Sequence, residues 1–290
     1  MQNTRIALVQ MRSKLGQVEK NLATMQRFVR EATEKAVDII CFPEMCVQGY
    51  DREAAWELAE DIATSQFIAS LVQIAREGNI TLITGMAERN HEEKKPFITQ
   101  VVVHPDGTVE KYRKTHLGKS EQPYFCAGDE FKVFSTPKAK FGIQICWDMH
   151  FPEMTTILSL KGCEIIFAPH ASPSIVGDRR DIWLKYLPAR AYDNTVFIGA
   201  CNLVGDDGRG HHFCGGALII DPKGNVIAED FRGAESMVMA DLDCTKINMI
   251  REQNSKSMAN SFYLQARRPE LYKELVGKPK KSSIDLLNHD

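Results

Sequence analysis

The stretch that decides the fold of this chain reads Phe141-Gly-Ile-Gln-Ile-Cys-Trp-Asp-Met-His-Phe-Pro-Glu153. Its apolar half, which ends at Ile145, predicts a buried strand that stops at Cys146. Asp148 is suited to cap the helix predicted to follow, and Pro152 suits a first helical turn, where no N–H is needed. A thiol at such a turn lies near the positive end of the helix dipole, which favours the thiolate. The stretch therefore predicts a cysteine nucleophile.

The alternative is that Cys146 is a small buried hydrophobe, which is the commoner fate of an intracellular cysteine. Seven other cysteines accompany it. Cys41 lies inside an apolar strand and Cys163 follows Gly162, so both are expected to be packing residues. Cys201 ends a predicted strand, as Cys146 does, and is the closest rival. The others lie at element ends or in loops without a comparable helix start: Cys46, Cys126, Cys214 and Cys244.

The composition, 43% hydrophobic and 26% charged over 290 residues, is typical of a soluble globular protein. A formal net charge of -2 gives no reason to expect nucleic acid or an anionic membrane as a partner. No apolar run approaches the length of a membrane span, and no charged and apolar leader opens the chain. Eight cysteines without a Cys-x-x-Cys pair favour reduced thiols and a cytoplasmic location. His211 and His212 lack the helical spacing of a metal pair, so no metal site is predicted.

Helices alternate with strands in both halves of the chain, and each half also carries hairpins. This pattern predicts an α+β fold of mixed sheets, each covered by helices, with two sheets stacked into four layers. We expect one domain, residues 1–275, and a C-terminal tail, residues 276–290. Predicted strands are 4–11, 38–42, 81–87, 97–104, 109–113, 132–136, 139–145, 164–168, 196–202, 215–220, 226–230 and 236–241. Predicted helices are 18–36, 53–77, one after Cys146, 180–194 (kinked or restarted at Pro188) and 242–253.

Three reactive side chains each follow a predicted strand: Glu44, Lys114 and Cys146. Ligands collect outside the carboxyl ends of strands, so we expect these side chains to meet there. Lys114 would favour the thiolate, and Glu44 would carry protons between the thiol, a leaving amine and water. Lys114 and the backbone N–H of Trp147 would hold an oxyanion. Taken singly, Glu44 and Lys114 are more often surface residues, so the prediction depends on their co-occurrence.

At these positions the sequence resembles the three signature blocks of the nitrilase superfamily, and the resemblance runs over nearly the whole chain. It implies a four-layer αββα sandwich with Glu44, Lys114 and Cys146 as a catalytic triad. It also implies hydrolysis of non-peptide C–N bonds through a thioester, without a metal or organic cofactor, by a homodimer or larger homo-oligomer. The blocks are Phe42-Pro-Glu44 with Gly49-Tyr50, Tyr112-Arg-Lys-Thr-His116, and Ile145-Cys-Trp-Asp148 with Phe151-Pro-Glu153.

The resemblance further assigns Glu121 to the site, because many amide-cleaving branches have a second glutamate in the loop between Lys and Cys. The alternative is a solvent-facing loop carboxylate. Arg190 and Asp193, which match later family features, are treated as structural. The residues expected to bind substrate are Trp147, His150, Tyr50, Tyr124 and His170. For Tyr50, Tyr124 and His170, the alternative is packing in the core or behind the site.

The residues after the nucleophile are the best guide to the substrate. Carbamoyl amino acid hydrolases of this family carry an arginine pair there, a fork suited to a carboxylate. This chain has Met149 and His150 instead, so carboxylate substrates are disfavoured, although a protonated His150 would still face an anion. The block is closer to the amidase and carbamoyl-amine branches, which predicts a small linear amide or N-carbamoyl amine as substrate. Two alternatives stay open: a nitrilase acting through a thioimidate, and a non-catalytic binding or redox-sensing scaffold.

Overall fold

A computed structural model describes residues 1–252 and 262–277 of the chain. The strands are β1 (Thr4–Gln10), β2 (Ile39–Cys41), β3 (Thr81–Glu88), β4 (Phe97–Val103), β5 (Val109–Arg113), β6 (Val133–Ser135), β7 (Lys140–Ile143), β8 (Ile165–His170), β9 (Phe197–Asn202), β10 (Val204–Asp206), β11 (His212–Cys214), β12 (Ala217–Ile220), β13 (Val226–Asp230) and β14 (Ser236–Leu242). The α-helices are α1 (Val18–Glu34), α2 (Ala55–Leu58), α3 (Gln66–Gly78), α4 (Pro152–Leu160), α5 (Arg179–Leu184), α6 (Leu187–Asn194), α7 (Thr245–Arg251) and α8 (Lys273–Val276).

Two six-stranded mixed sheets form the centre of the fold. The first has the order β14-β1-β2-β3-β4-β5 and the second β13-β12-β9-β8-β7-β6. The first sheet is parallel across β1, β2 and β3, and the second across β7, β8 and β9, while the outer pairs are antiparallel. The parallel centres align the carboxyl ends of β2, β7 and β8, where ligand sites of such sheets are found.

Successive side chains of β1 point to opposite faces of the first sheet and show how the layers stack. Ile6 and Leu8 belong to the core shared by the two sheets, whereas Ala7 and Val9 belong to the core under α1 and α3. Gly199 of β9 lets the sheets approach, because a Cβ there would lie 3.0 Å from the Leu8 side chain. On the outer side of the second sheet, α4 packs on α6, and α6 packs on β9 and β12. The predicted four-layer α+β sandwich is confirmed.

The helix after Cys146 differs from the expectation. Residues Cys146–His150 form a 3₁₀ turn, and α4 begins only at Pro152, with Phe151 rather than Asp148 at its N-cap position. The prediction that Asp148 caps this helix was wrong, because its carboxylate turns back to accept the Ile145 N–H at 2.9 Å. The chain is therefore redirected between the strand and the helix.

Other boundaries follow local chemistry. The predicted helix 53–77 is two helices, α2 and α3, because Glu60 forms a bridge with Glu88 of β3 between them. The helix expected around Pro188 restarts at α6, with that proline in its first turn, as predicted. The hairpin β10–β11 was not predicted. The last predicted helix is confirmed in part as α7, and its expected end at Gln253 falls outside the described residues.

The proposed tail, residues 276–290, falls mostly beyond the part of the chain that the structure describes, so the division at 275 stays a prediction. Before it, 3₁₀ turns at Tyr263–Ala266 and Pro269–Leu271 lead into α8. None of the helices in residues 1–252 and 262–277 is long and apolar enough to cross a membrane.

Candidate active site

Four residues singled out by the sequence lie together where the two sheets meet. Glu44 follows β2 and Lys114 follows β5 of the first sheet, whereas Cys146 follows β7 of the second. The Nζ of Lys114 donates to Glu44 Oε1 at 2.8 Å and to Glu121 Oε1 at 2.7 Å. All three charged side chains are buried, so the ammonium group is held between two carboxylates in a medium that screens little.

The second oxygen of Glu44 ties the first sheet to the second. Glu44 Oε2 accepts the Ala171 N–H at 2.8 Å, just beyond the end of β8. The next residue, Ser172, places its Oγ 3.6 Å from the Sγ of Cys146. One carboxylate thereby bonds the lysine of its own sheet and the segment of the other sheet that contacts the thiol.

Glu121 is fixed as firmly as Glu44. Its Oε1 also accepts the Tyr50 hydroxyl at 2.9 Å, and its Oε2 accepts the Gly118 N–H at 2.8 Å. Glu121 is only 5% exposed, which contradicts the alternative of a solvent-facing loop carboxylate. The Glu121 carboxylate is therefore held against Lys114, which also bonds Glu44.

The backbone of Cys146 adopts a conformation that side chains other than glycine rarely take, with φ of 46°. Such strain costs on the order of 1–3 kcal/mol and persists only where the surroundings impose it. Here the imposing group is the Asp148 carboxylate, which is fully buried beneath the turn. It accepts hydrogen bonds from Ile145 N, Tyr112 Oη, Thr115 Oγ1, His116 N and His116 Nδ1.

The resting charges differ from the expectation of a thiolate. Burial and the charge of Glu44 raise the pKa of Cys146 to about 12, although Lys114 acts in the opposite direction. The prediction that the thiolate is favoured was therefore wrong for the site without substrate. Burial raises the pKa of Glu44 to about 7 against the pull of Lys114. The pKa of Lys114 is well above its usual value because Glu44 and Glu121 outweigh the effect of burial.

Trp147 and His150, the expected substrate-binding residues after the nucleophile, form a cluster of aromatic rings with Tyr186. Trp147 is 43% exposed, and its ring centroid lies 4.7 Å from that of His150. His150 in turn lies 5.0 Å from the ring of Tyr186. Burial, with the charges of Arg190 and Arg179, lowers the pKa of His150. His150 is therefore neutral at neutral pH and supplies no charge to an anion.

The other three expected substrate-binding residues take different places. Tyr50 holds Glu121 through its hydroxyl. The hydroxyl of Tyr124 points to Glu53 at 3.4 Å, at the rim of the site. His170 is buried, with Nδ1 on the Ala168 carbonyl at 2.8 Å and Nε2 accepting the Trp183 indole N–H at 3.2 Å. Both nitrogens of His170 are thus engaged, which favours its packing alternative.

Two residues near the thiol were missed by sequence reasoning. Ser172 comes just after β8, so the strand-end criterion that selected Glu44 and Cys146 would also have found it. Tyr186 lies between α5 and α6, where no motif or strand end distinguishes it in the sequence. Burial and the charge of Cys146 raise the pKa of the Tyr186 hydroxyl, so its ring belongs to the surroundings of the sulfur.

No group of three or more His, Cys, Asp or Glu in the described residues is arranged to hold a metal ion. His211 instead pairs its Nδ1 with Asp207 at 2.7 Å. A surface cleft of about 1050 Å³ contains none of the four clustered residues. Within that cleft, Glu88 is already paired with both Arg113 and Lys111.

Residues 5–252 match the family model described as "Carbon-nitrogen hydrolase". The chain belongs to this family, within the nitrilase superfamily. The hydrolase is 30% identical over 272 residues to a Pyrococcus abyssi protein named "Nitrilase", covering 92% of this chain and 98% of that one. It is 32% identical over 281 residues to the N-carbamoylputrescine amidase of Arabidopsis thaliana, covering 89% and 91%. A Nesterenkonia sp. amidase, solved as a cysteine-to-alanine mutant with butyramide, superposes with a TM-score of 0.79 at 25% identity, covering 93% and 96%.

Proposed function

We propose that this carbon-nitrogen hydrolase cleaves the C–N bond of a small linear amide or N-carbamoyl amine through a thioester on Cys146. The observation that carries the proposal is the buried Glu44–Lys114–Glu121 cluster beside a half-buried thiol on a strained turn. Pairs of titratable groups whose pKa values are pushed apart by their environment are typical of acid–base sites. The names of the Arabidopsis and Nesterenkonia proteins support the substrate class.

In the acylation half-reaction, the thiol of Cys146 gives its proton to Glu44 while the sulfur attacks the carbonyl carbon. The carbonyl electron pair moves onto oxygen, where Lys114 Nζ and the Trp147 N–H stabilise it. Glu44 then delivers the proton to nitrogen, the C–N bond breaks, and ammonia or an amine leaves. This order fits the pKa values, since Glu44 is ionised above about pH 7 while the thiol is still protonated.

In the deacylation half-reaction, water gives a proton to Glu44 and its oxygen attacks the thioester carbonyl. The C–S bond breaks, and the sulfur recovers its proton from Glu44. The product is a carboxylic acid from an amide, or a carbamate from an N-carbamoyl amine. Glu121 takes no proton in either step; it keeps Lys114 charged and in place.

A nitrilase is the second candidate, favoured by the name of the Pyrococcus relative. It would use the same thiol but form a thioimidate, to which one water must add before ammonia leaves. The names of the Arabidopsis and Nesterenkonia proteins favour an amidase instead. A non-catalytic scaffold has no use for a buried ammonium between two carboxylates.

Ammonia release from matched amides, N-carbamoyl amines and nitriles tests the proposal. We expect turnover of the first or second class, and a transient acyl or carbamoyl adduct on the peptide containing Cys146 by mass spectrometry. Cys146→Ala should remove both turnover and adduct with an unchanged thermal midpoint. Cys126→Ser is the matched control, since this half-exposed thiol contacts Glu93 outside the cluster and should be dispensable. Turnover of nitriles alone would refute the proposal.

We also infer a homodimer or larger assembly in the cytoplasm. The exposed apolar side chains of α8, Leu275 and Val276, support assembly, because a solvated position for both is unfavourable. The eight cysteines, none of them disulfide-bonded, support a reducing compartment. Sedimentation velocity and cell fractionation test these two inferences separately.

A further inference from the structure

The hydroxyl of Ser172 contacts the sulfur of the nucleophile. Its Oγ lies 3.6 Å from the Sγ of Cys146, and this hydroxyl makes no other hydrogen bond within residues 1–252 and 262–277. Ser172 is only 7% exposed, so little of it is open to water. A serine hydroxyl has one proton to donate. Among the described residues, the sulfur is the acceptor that this donor has.

Asn202, at the end of β9, fixes the backbone of Ser172 at two points. Its Oδ1 accepts the Ser172 N–H at 2.8 Å, and its Nδ2 donates to the Ser172 carbonyl at 3.1 Å. The same Nδ2 donates to the Gly215 carbonyl at 3.0 Å, and Asn202 is fully buried. Buried polar networks whose members are all satisfied make the local structure rigid. The hydroxyl is therefore held beside the sulfur by a backbone that has little freedom to move.

The residue before Ser172 serves the other half of the proposed proton transfer. The Ala171 N–H donates to Glu44 Oε2 at 2.8 Å, so two consecutive residues contact the proton acceptor and the nucleophile. The clamp from Asn202 thus fixes both contacts at once. This arrangement needs an explanation beyond packing, because a methyl group in place of the hydroxyl would fill nearly the same space beside Cys146.

The charge on the sulfur supplies that explanation. Burial and the charge of Glu44 raise the pKa of Cys146 to about 12, whereas Lys114 and the hydroxyl of Ser172 act in the opposite direction. A hydrogen bond to the ionised form of a group favours that form. In the proposed cycle the sulfur gains negative charge twice, when it attacks the substrate and when the C–S bond breaks. A donor that binds the charged sulfur more strongly than the thiol or the thioester lowers both barriers.

We propose that Ser172 is a catalytic residue whose hydroxyl donates a hydrogen bond to the sulfur of Cys146 as negative charge develops there, and that Asn202 is the positioning residue that holds it. The inference rests on the proposed function and adds to it a donor for the sulfur, beside the donors assigned to the oxyanion. The hydroxyl keeps its proton throughout. The thiol proton goes to Glu44, and the electron pair of the broken C–S bond returns to the sulfur, which takes a proton back from Glu44.

Alkylation by iodoacetamide tests the hydrogen bond without any hydrolysis, because the sulfur displaces iodide from carbon. The measured quantity is the ratio of the alkylation rate constants of Cys146 and Cys126, from mass spectrometry of their peptides at one pH below the pKa of Cys146. Both thiols are partly exposed, so Cys126 is an internal reference. Ser172→Ala should lower the ratio, and kcat/KM for butyramide, by about 10- to 100-fold, the range for a hydrogen bond to a charged group. Ser172→Thr keeps the hydroxyl and should restore most of both values.

Asn21 provides a matched control for Asn202. Its Oδ1 accepts the Lys14 N–H at 3.0 Å and its Nδ2 donates to the Lys14 carbonyl at 2.9 Å, which is the same two-point clamp at a site without a nucleophile. Asn202→Ala and Asn21→Ala each remove a buried clamp, and both should lower the thermal midpoint. Only Asn202→Ala should lower the ratio of Cys146 to Cys126 alkylation.

The outcomes separate this inference from the proposed function. An unchanged ratio in Ser172→Ala, or a loss that Ser172→Thr does not reverse, would overturn the catalytic role of the hydroxyl. An equal loss in Asn21→Ala would overturn the positioning role of Asn202. If wild type hydrolyses no amide but the ratio falls in Ser172→Ala, the proposed function fails and the bond to the sulfur is supported. If butyramide is hydrolysed and the ratio does not respond, only the role of Ser172 is refuted.

Discussion

The charge of Glu121 should set the pH at which the enzyme becomes active. In the proposed mechanism Glu44 must be ionised to take the proton of Cys146, so kcat/KM is expected to fall as pH drops through about 7. The charge of Glu121 is one reason for the raised pKa of Glu44. Glu121→Gln removes that charge and keeps the size of the side chain. The acid limb of the pH profile should therefore move below pH 7.

The size of the effect follows from the geometry around Lys114. Glu44 Oε1 and Glu121 Oε1 bond the same nitrogen at 2.8 and 2.7 Å, which together limit their separation to at most 5.5 Å. Two like charges at that distance repel by about 3 kcal/mol at an effective dielectric constant of ~20. Both carboxylates are buried, so solvent reduces this little. The displacement of the limb should be large enough to resolve easily.

The assay is the initial rate of ammonia release at low butyramide concentration across the pH range, which reports kcat/KM for the free enzyme. Tyr50→Phe is the matched control, because it removes one hydrogen bond to Glu121 but no charge. Its acid limb should stay where the wild-type limb lies even if its rate is lower. A limb that stays in place or moves upward in Glu121→Gln would refute the reasoning, because the titrating group would then not be Glu44 under the field of Glu121.

Substitutions at three further positions test the supports of the site. Lys114→Met leaves Glu44 and Glu121 buried without their cation. It should lower the free energy of unfolding in urea by about 3–5 kcal/mol and abolish turnover. Unchanged stability would contradict the buried pairing. Asp148→Ala removes five accepted hydrogen bonds beneath the nucleophile and should cost a similar ~3–5 kcal/mol, with Asp148→Asn in between. Gly85→Ala would bring a Cβ to 2.2 Å from the Met45 backbone nitrogen, so it should lower kcat and the thermal midpoint together; wild-type values for both would disprove this close packing.

The sequence was most informative where local rules and global topology agree. Glu44, Lys114 and Cys146 were found because each follows a strand, and parallel sheets bring such positions to one edge. The restart at Pro188 was predictable because a proline lacks the N–H that a helix interior needs. These features depend on a few consecutive residues and on the order of the elements.

Sequence reasoning failed where partners come from distant segments. Asp148 looked like a helix cap because four of its five hydrogen-bond donors, on Tyr112, Thr115 and His116, are more than thirty positions away in the chain. The thiolate was expected from the helix start and from Lys114, whereas burial and the charge of Glu44 decide the pKa of Cys146.

The bond from the Ala171 N–H to Glu44 has a consequence for how activity is acquired during refolding. Each sheet can gain its own strand pairing separately, but the carboxylate reaches the thiol only after the two sheets have docked. Recovery of turnover after dilution from denaturant should therefore lag behind the recovery of the circular dichroism signal. The recovery of turnover would thus measure the rate of a single late event, the docking of the two sheets against each other.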